Sequence, residues 1–236
     1  MYLFPTRQWL QEYGRLLDEH PALADIAAGW GRRFDGRVHL VITDLPLAET
    51  SLGDLPDSVL ADVPPRIEAS VADVTLADAP TRLDDTVRPS LPPTVQDLLA
   101  QIEELVADGT IHVRVQLDPG GADVTALADP NAHDADAVVH GPLRAWQRVV
   151  DGRPVASAIL RGEISIDGPG LLHVQYATLL QLLGDVAADV ETTHLFATPP
   201  QTVLDVCFDA AVRQPVTLER HLLRQASLVS RLVSFP

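Results

Sequence analysis

The sequence predicts an α+β fold: a five-stranded antiparallel sheet covered by helices on one face, with an acidic insertion and extra C-terminal helices. Three observations predict it. Apolar residues recur at helical spacing in two N-terminal segments and again beyond residue 140. Five short β-branched segments, bounded by Gly, Pro and Asp, lie between them. Hydrophobic residues make up 46% of the 236 positions, enough to bury one sizeable core and to argue against a disordered chain.

Pro5-Thr6 opens the first helix, with Thr6 as N-cap. Trp9, Tyr13, Leu16 and Leu17 form its apolar face. His20-Pro21 starts a second helix with Leu23, Ile26, Ala27 and Trp30 on one stripe. Arg37 to Thr43 reads as a strand. From Asp44 to Pro93 the chain is rich in Pro, Asp, Ser and Thr and reads as a partly mobile insertion, with one strand conceivable over Arg66–Leu76. Thr94 to Asp97 has the form of a capping box, and Val95, Leu98, Leu99, Ile102, Leu105 and Val106 follow as an amphipathic helix at about 94–107. Strands follow at Ile111–Leu117, Ala122–Leu127 and Ala135–Val139, the first two joined by the turn Asp118-Pro-Gly-Gly121. Pro142 starts a helix bearing Leu143, Trp146, Val149 and Val150, closed by Gly152. Pro154–Leu160 is a short helix and Glu163–Asp167 a strand. Leu171–Ala188 is a helix apolar nearly all round, so it is expected to be buried on all sides. Two helical segments, about 202–212 and 217–233, close the chain. The expected organisation is one domain over 1–188, with 45–109 inserted in it, and a helical extension over 189–236 packed on it.

Charge narrows the function classes. Acids number 33 and bases 17, for a net charge of −16. The acids are 24 Asp and 9 Glu; every base is Arg, and Lys is absent. A net charge this negative argues against wrapping nucleic acid, whose phosphates need a basic face. Self-repulsion weakens its compact state in dilute salt, and molar salt screens that repulsion. The composition points to a halophilic, archaeal-type cytoplasmic protein. No apolar run approaches the roughly 18 residues of a membrane span, and the N-terminus lacks a secretory signal pattern. A single cysteine, Cys207, leaves no internal disulfide; in the apolar run Val206-Cys-Phe208 it is expected to be buried and inert.

The segment from Asp136 to Leu183 carries a family resemblance. A strand ends in Val139-His-Gly141, and a Trp146-bearing helix stops at Gly152. Pro154, Ala156, Arg161-Gly162, Glu163-Ile-Ser-Ile-Asp-Gly168 and a Leu-rich helix follow. This ordered series of Asp136, Gly141, Gly152, Ala156, Gly162 and Gly168 resembles the sterol carrier protein 2 (SCP-2) lipid-binding family. The likeness covers residues 1–44 and 110–188; the insertion and the tail depart from it. It implies an SCP-2-like arrangement with an apolar tunnel between helices and sheet. The implied lipid-binding residues are Val155, Ile159, Leu160, Leu171, Leu172, Val174, Tyr176, Leu179, Leu180 and Leu183, with Trp146 as a wall.

Catalytic signatures are missing. There is no Gly-x-Ser-x-Gly elbow, no Gly-x-Gly-x-x-Gly and no Walker loop. His133, Asp134, Asp136 and His140 have metal-ligand chemistry, but strand rise puts Asp136 and His140 about 13 Å apart. No metal, cofactor or catalytic residue is therefore assigned. The expected function is non-catalytic binding and transfer of a hydrophobic ligand: an isoprenoid lipid, a fatty acyl chain or a sterol-like molecule. The alternative is an accessory lipid-presenting or scaffold subunit of a lipid-modifying enzyme. The tail adds a basic amphipathic pattern, with Arg220, Arg224 and Arg231 on one helical face opposite Leu218, Leu222, Leu223, Val229 and Val233. That pattern fits either a transient membrane-surface contact or docking onto the acidic body or a second subunit, as in a homodimer.

Overall fold

The computed structural model describes residues 1–23, 35–83, 87–118, 120–129 and 134–167, the backbone from 173 with side chains from 178 to 198, and residues 200, 202, 204–210 and 212. Strand β1, Tyr2–Phe4, leads into helix α1, Arg7–Asp18. Thr6 caps α1 by accepting from the Trp9 N–H, and the helix buries Trp9, Leu10, Tyr13 and Leu17. Only the first turn of the expected second helix, Ala22 and Leu23, lies within the described residues.

Strand β2, Arg37–Thr43, is the centre of a six-stranded sheet. The remaining strands are β3, Val106–Ala107; β4, Thr110–Asp118; β5, Gly121–Leu127; β6, Ala137–Pro142; and β7, Ser165–Asp167. Their order is β3-β4-β2-β6-β7, with β5 also paired to β4. β4 and β5 form the expected hairpin, with Asp118 opposite Gly121. Alternation is plain in β4, where Ile111, Val113, Val115 and Leu117 are buried while His112, Arg114 and Gln116 are half-buried on the other face. One pairing corrects the all-antiparallel expectation: β2 and β6 run parallel, Val38 opposite Ala137 through Thr43 opposite Pro142. The reason is connectivity. The chain leaves β2, builds the β4–β5 hairpin on one edge, and re-enters along the other edge in the original direction, which no residue pattern within a strand records.

The segment after β2 is also corrected. Residues 45–92 are not a featureless loop. They hold 3₁₀ turns at Leu52–Asp54 and Arg88–Ser90 and short helices α2, Asp57–Leu60, α3, Pro65–Val71, and α4, Ala79–Arg82. The stretch expected as a strand at Arg66–Leu76 is largely α3, because Pro64-Pro65 places a proline at the first helical position. Leu52, Leu55, Val59, Val71, Leu76 and Leu83 are buried in the same core cluster as the sheet. Helix α5, Pro93–Leu105, follows as expected, but Pro92 is its N-cap and the Thr94–Asp97 capping box does not form. Asp97 instead accepts from Gln8 and Gln101, tying α5 to α1.

Helices α6, Leu143–Val150, α7, Val155–Leu160, and α8, His173–Asp189, complete the layer. α8 is not apolar all round: Thr178, Gln181, Asp185 and Asp189 make a solvent-facing stripe, while Leu179, Leu180, Leu182, Leu183 and Val186 are buried. A short strand β8, Thr192–His194, pairs in parallel with β1. Residues 204–210 are helical. No helix among the described residues is long and apolar enough to cross a membrane.

Candidate functional site: an apolar cavity between helices and sheet

A narrow apolar cavity lies where α1, α6, α7 and α8 meet the inner face of the sheet. The sheet supplies Leu40 and Ile42 from β2, Val113 from β4 and Val139 from β6. Period-two alternation aims these positions at the helices. β1 adds Phe4, and α1 adds Trp9, Leu10 and Tyr13. Trp146, Val149 and Val150 come from α6, Val155 from α7, and Leu180, Leu183, Gly184 and Ala187 from α8.

The aromatic wall is pinned by its polar tips. Trp9 Nε1 donates to Thr192 Oγ1 at 2.7 Å, and the Tyr13 hydroxyl donates to the Leu183 carbonyl at 3.0 Å. Trp146 Nε1 donates to the carbonyls of Val41 and Gly141, each at 3.1 Å. These bonds satisfy all three polar tips and leave only ring surface for the cavity. Trp9 stacks on Tyr13 at 5.2 Å, and Phe4 meets Trp9 edge-on at 4.7 Å. Burial of the Tyr13 phenol pushes its pKa well above the usual value, so it stays neutral.

The cavity volume is about 40 Å³. Sites for drug-sized ligands run to roughly 300–1,000 Å³. At about 40 Å³ the cavity is too small for a hydrocarbon chain without displacement of its wall. The tightest wall contact is between α7 and α8: a Cβ at Gly184 would overlap Val155 Cγ2.

Of the residues expected to bind lipid, Trp146, Val155, Leu180 and Leu183 stand on this cavity. Leu179 is buried away from it, and Ile159 packs partly buried against the core. Leu160 is corrected: it is 71% exposed, because the short α7 turns its C-terminal end to solvent. Leu171, Leu172, Val174 and Tyr176 lie outside the described residues and side chains. Sequence reasoning missed Phe4, Trp9 and Tyr13 as wall residues. The aromatic spacing in α1 was the available signal, since it marks an inward face.

Two other expectations resolve locally. Asp136 accepts from the N–H groups of Asp35 and Arg37, both at 2.9 Å, and so fastens the start of β2. His140 lies 3.5 Å from Asp167, Asp134 is exposed, and His133 lies outside the described residues. Among the described residues, no three His, Cys, Asp or Glu side chains converge on a metal position. Cys207 is exposed, against the buried expectation. Its helical run turns acids inward and apolar residues outward. Residues 213–236, including Arg220, Arg224 and Arg231, lie outside the described residues.

No protein-family model and no curated protein matches the sequence. Solved structures give similarities of shape. A crystal structure of sterol carrier protein 2 aligns at a TM-score of 0.46 and 20% identity, over 78% of this chain and 97% of that one. The solution structure of a conserved hypothetical protein from Thermus thermophilus, described as possibly a sterol carrier protein, aligns at 0.43 and 20% identity, over 83% and 91%. A UbiJ-SCP2 ubiquinone synthesis protein aligns at 0.36 and 11% identity, over 79% and 93%. All three TM-scores fall below 0.5, and the chemistry of the site rests on its own residues.

Proposed function

We propose that this chain is an SCP-2-like lipid-binding protein that takes up a hydrophobic chain between its helices and its sheet and performs no catalysis. The observation that carries this reading is the cavity wall. Its residues are apolar, and its three aromatic polar tips are bonded away from the interior. Such a lining selects for hydrocarbon, because it offers a polar ligand no partner. A ligand of about 15 methylenes gains roughly 12 kcal/mol on leaving water, at about 0.8 kcal/mol per methylene. A bilayer offers the same gain, so exchange with membranes is nearly balanced, as a carrier requires. The ligand class is an isoprenoid lipid, a fatty acyl chain or a sterol-like molecule, and the working place is a salt-rich cytoplasm.

A second reading is an accessory subunit that presents lipid to a modifying enzyme. It is favoured by exposed apolar side chains at Leu160 and Leu204, which offer a surface to a partner. Native mass spectrometry from concentrated ammonium acetate separates the two. A co-purifying lipid near one per chain supports carriage, and a stoichiometric protein partner supports the accessory role. A chain with neither, which also fails to take up added fatty acid or isoprenoid, defeats both.

A further inference from the structure

We propose that residues 204–210 form a releasable strap that holds α7 down over the apolar cavity, fastened by ions and not by apolar burial. The inference rests on the lipid-binding reading for what the cavity takes up. The amphipathy of the strap is inverted. Asp205 and Asp209, one helical turn apart, face the protein, and Asp205 is only 8% exposed. On the outside are Leu204, 81% exposed, and Val206, 54%; Phe208, 39% exposed, sets its ring 4.3 Å from the Arg161 guanidinium and so joins the charged contact. Apolar burial does not account for the attachment of a helix that turns Leu204 and Val206 to solvent.

Charge does. The Arg153 side chain is fully buried; its Nε donates to Asp209 at 2.8 Å and its Nη1 to Glu163 at 2.7 Å. Its Nη2 lies 3.6 Å from Asp205 without a hydrogen bond. Arg161 pairs with Asp205 at 2.6 Å, and Arg148 approaches Glu163 at 3.5 Å. The Ser157 hydroxyl donates to Asp209. Three guanidiniums thus face three carboxylates, and the strap provides two of the three. When it lifts, Glu163 is the one carboxylate of this network left to the three guanidiniums, and water takes the place of the two that leave.

The network sits on α7. Arg153 and Arg161 flank the helix and Ser157 lies within it, while Val155 reaches the cavity from the opposite side. Gly152 and Gly162, with φ of +94° and +69°, close the turns on either side of α7, each N–H bonded back to the helix before it. α7 is therefore a six-residue wall between two glycines, pressed onto the cavity by an electrostatic clasp. Releasing the clasp frees the wall that must move before the 40 Å³ slot can take a hydrocarbon chain.

The test is the Asp205→Asn/Asp209→Asn double variant of the full chain, with Asp209→Asn alone if the double variant fails to fold. Amide hydrogen exchange over residues 153–162 should accelerate about tenfold, with β2 and β4 unchanged. Stopped-flow uptake of dansyl-undecanoic acid should accelerate about fivefold or more relative to the native chain. Unchanged exchange overturns the strap. Faster exchange with unchanged uptake overturns its control of the cavity. If neither protein takes up the probe, the lipid reading falls and the strap's role falls with it; equal uptake by the native chain and the variant removes the strap's control of the cavity and leaves the lipid reading standing.

Discussion

Tyr13 sends its hydroxyl out of the cavity to the Leu183 carbonyl while its ring forms part of the wall. Tyr13→Phe removes a second hydrogen bond from a carbonyl that the α8 ladder already pairs, and should cost about 0.5–1.5 kcal/mol in chemical denaturation. Because burial raises the phenol's pKa in the native state, the native protein holds a proton that the unfolded chain loses near pH 10. Stability should therefore be intact below about pH 10 and fall as pH rises above it, and Tyr13→Phe should flatten that decline. Gly184 serves by having no side chain. Gly184→Ala forces Val155 away, and overpacking of this kind costs about 1–3 kcal/mol, readable as a lower melting temperature. Leu183→Asp places an unpaired carboxylate against the wall and should abolish lipid binding; retained binding with retained stability would remove the cavity as the site. At this scale the inward faces of α6 and α8 were legible, so Trp146, Leu180 and Leu183 were named from spacing and resemblance. Periodicity shows that a residue points inward but not which neighbour it meets. That is why Leu179 is buried off the cavity and Phe4 was overlooked.

Elements with strong periodicity, such as α1, β2 and α5, are where the sequence puts them. Those without it were misread, and α3 is the clear case: a short apolar run fits helix or strand equally until its neighbours are known. The strap shows a different limit. A run such as Val206-Cys-Phe208 reads as buried, but the ion network around Arg153 turns the acids inward and exposes the rest. Cys207 should thus react with a maleimide in the native state within minutes, at a rate close to that in denaturant. The hydroxyl and N–H of Thr202, with Arg161, hold Asp205 at a pKa of about 2, below its usual 3.8. A depressed carboxylate stabilises above its unfolded value and stops doing so as pH falls through the folded one. The share of the attachment that Asp205 supplies should be complete above about pH 4 and be lost toward pH 2. Hydrogen exchange over residues 204–210 at about pH 5, 3 and 2 checks this, and protection that persists at the lowest pH would contradict it.

For the whole molecule the governing quantity is the charge of −16. Acids outnumber bases 33 to 17, so their mutual repulsion opposes folding wherever salt is dilute. Lowering salt from molar to about 0.1 M widens the Debye length from about 3 to 10 Å. The cooperative near-UV signal should weaken and the melting temperature fall across that range. A melting temperature independent of salt would contradict the proposed salt-rich setting.

Composition and periodicity alone determined the α+β class, the net charge of −16 and the main amphipathic helices. These are sums over residues or properties of one segment at a time, and composition and local patterns record them. Tertiary structure decided what depends on two distant segments meeting. It set the parallel pairing of β2 with β6 and gathered Phe4, Trp9 and Tyr13 onto the cavity wall. It joined Arg153 to Asp209, far along the chain, and narrowed the cavity to about 40 Å³. The physical reason is the same in each case. A side chain's partner across space is chosen by chain connectivity and close packing, and neither is written in the spacing of its neighbours along the chain.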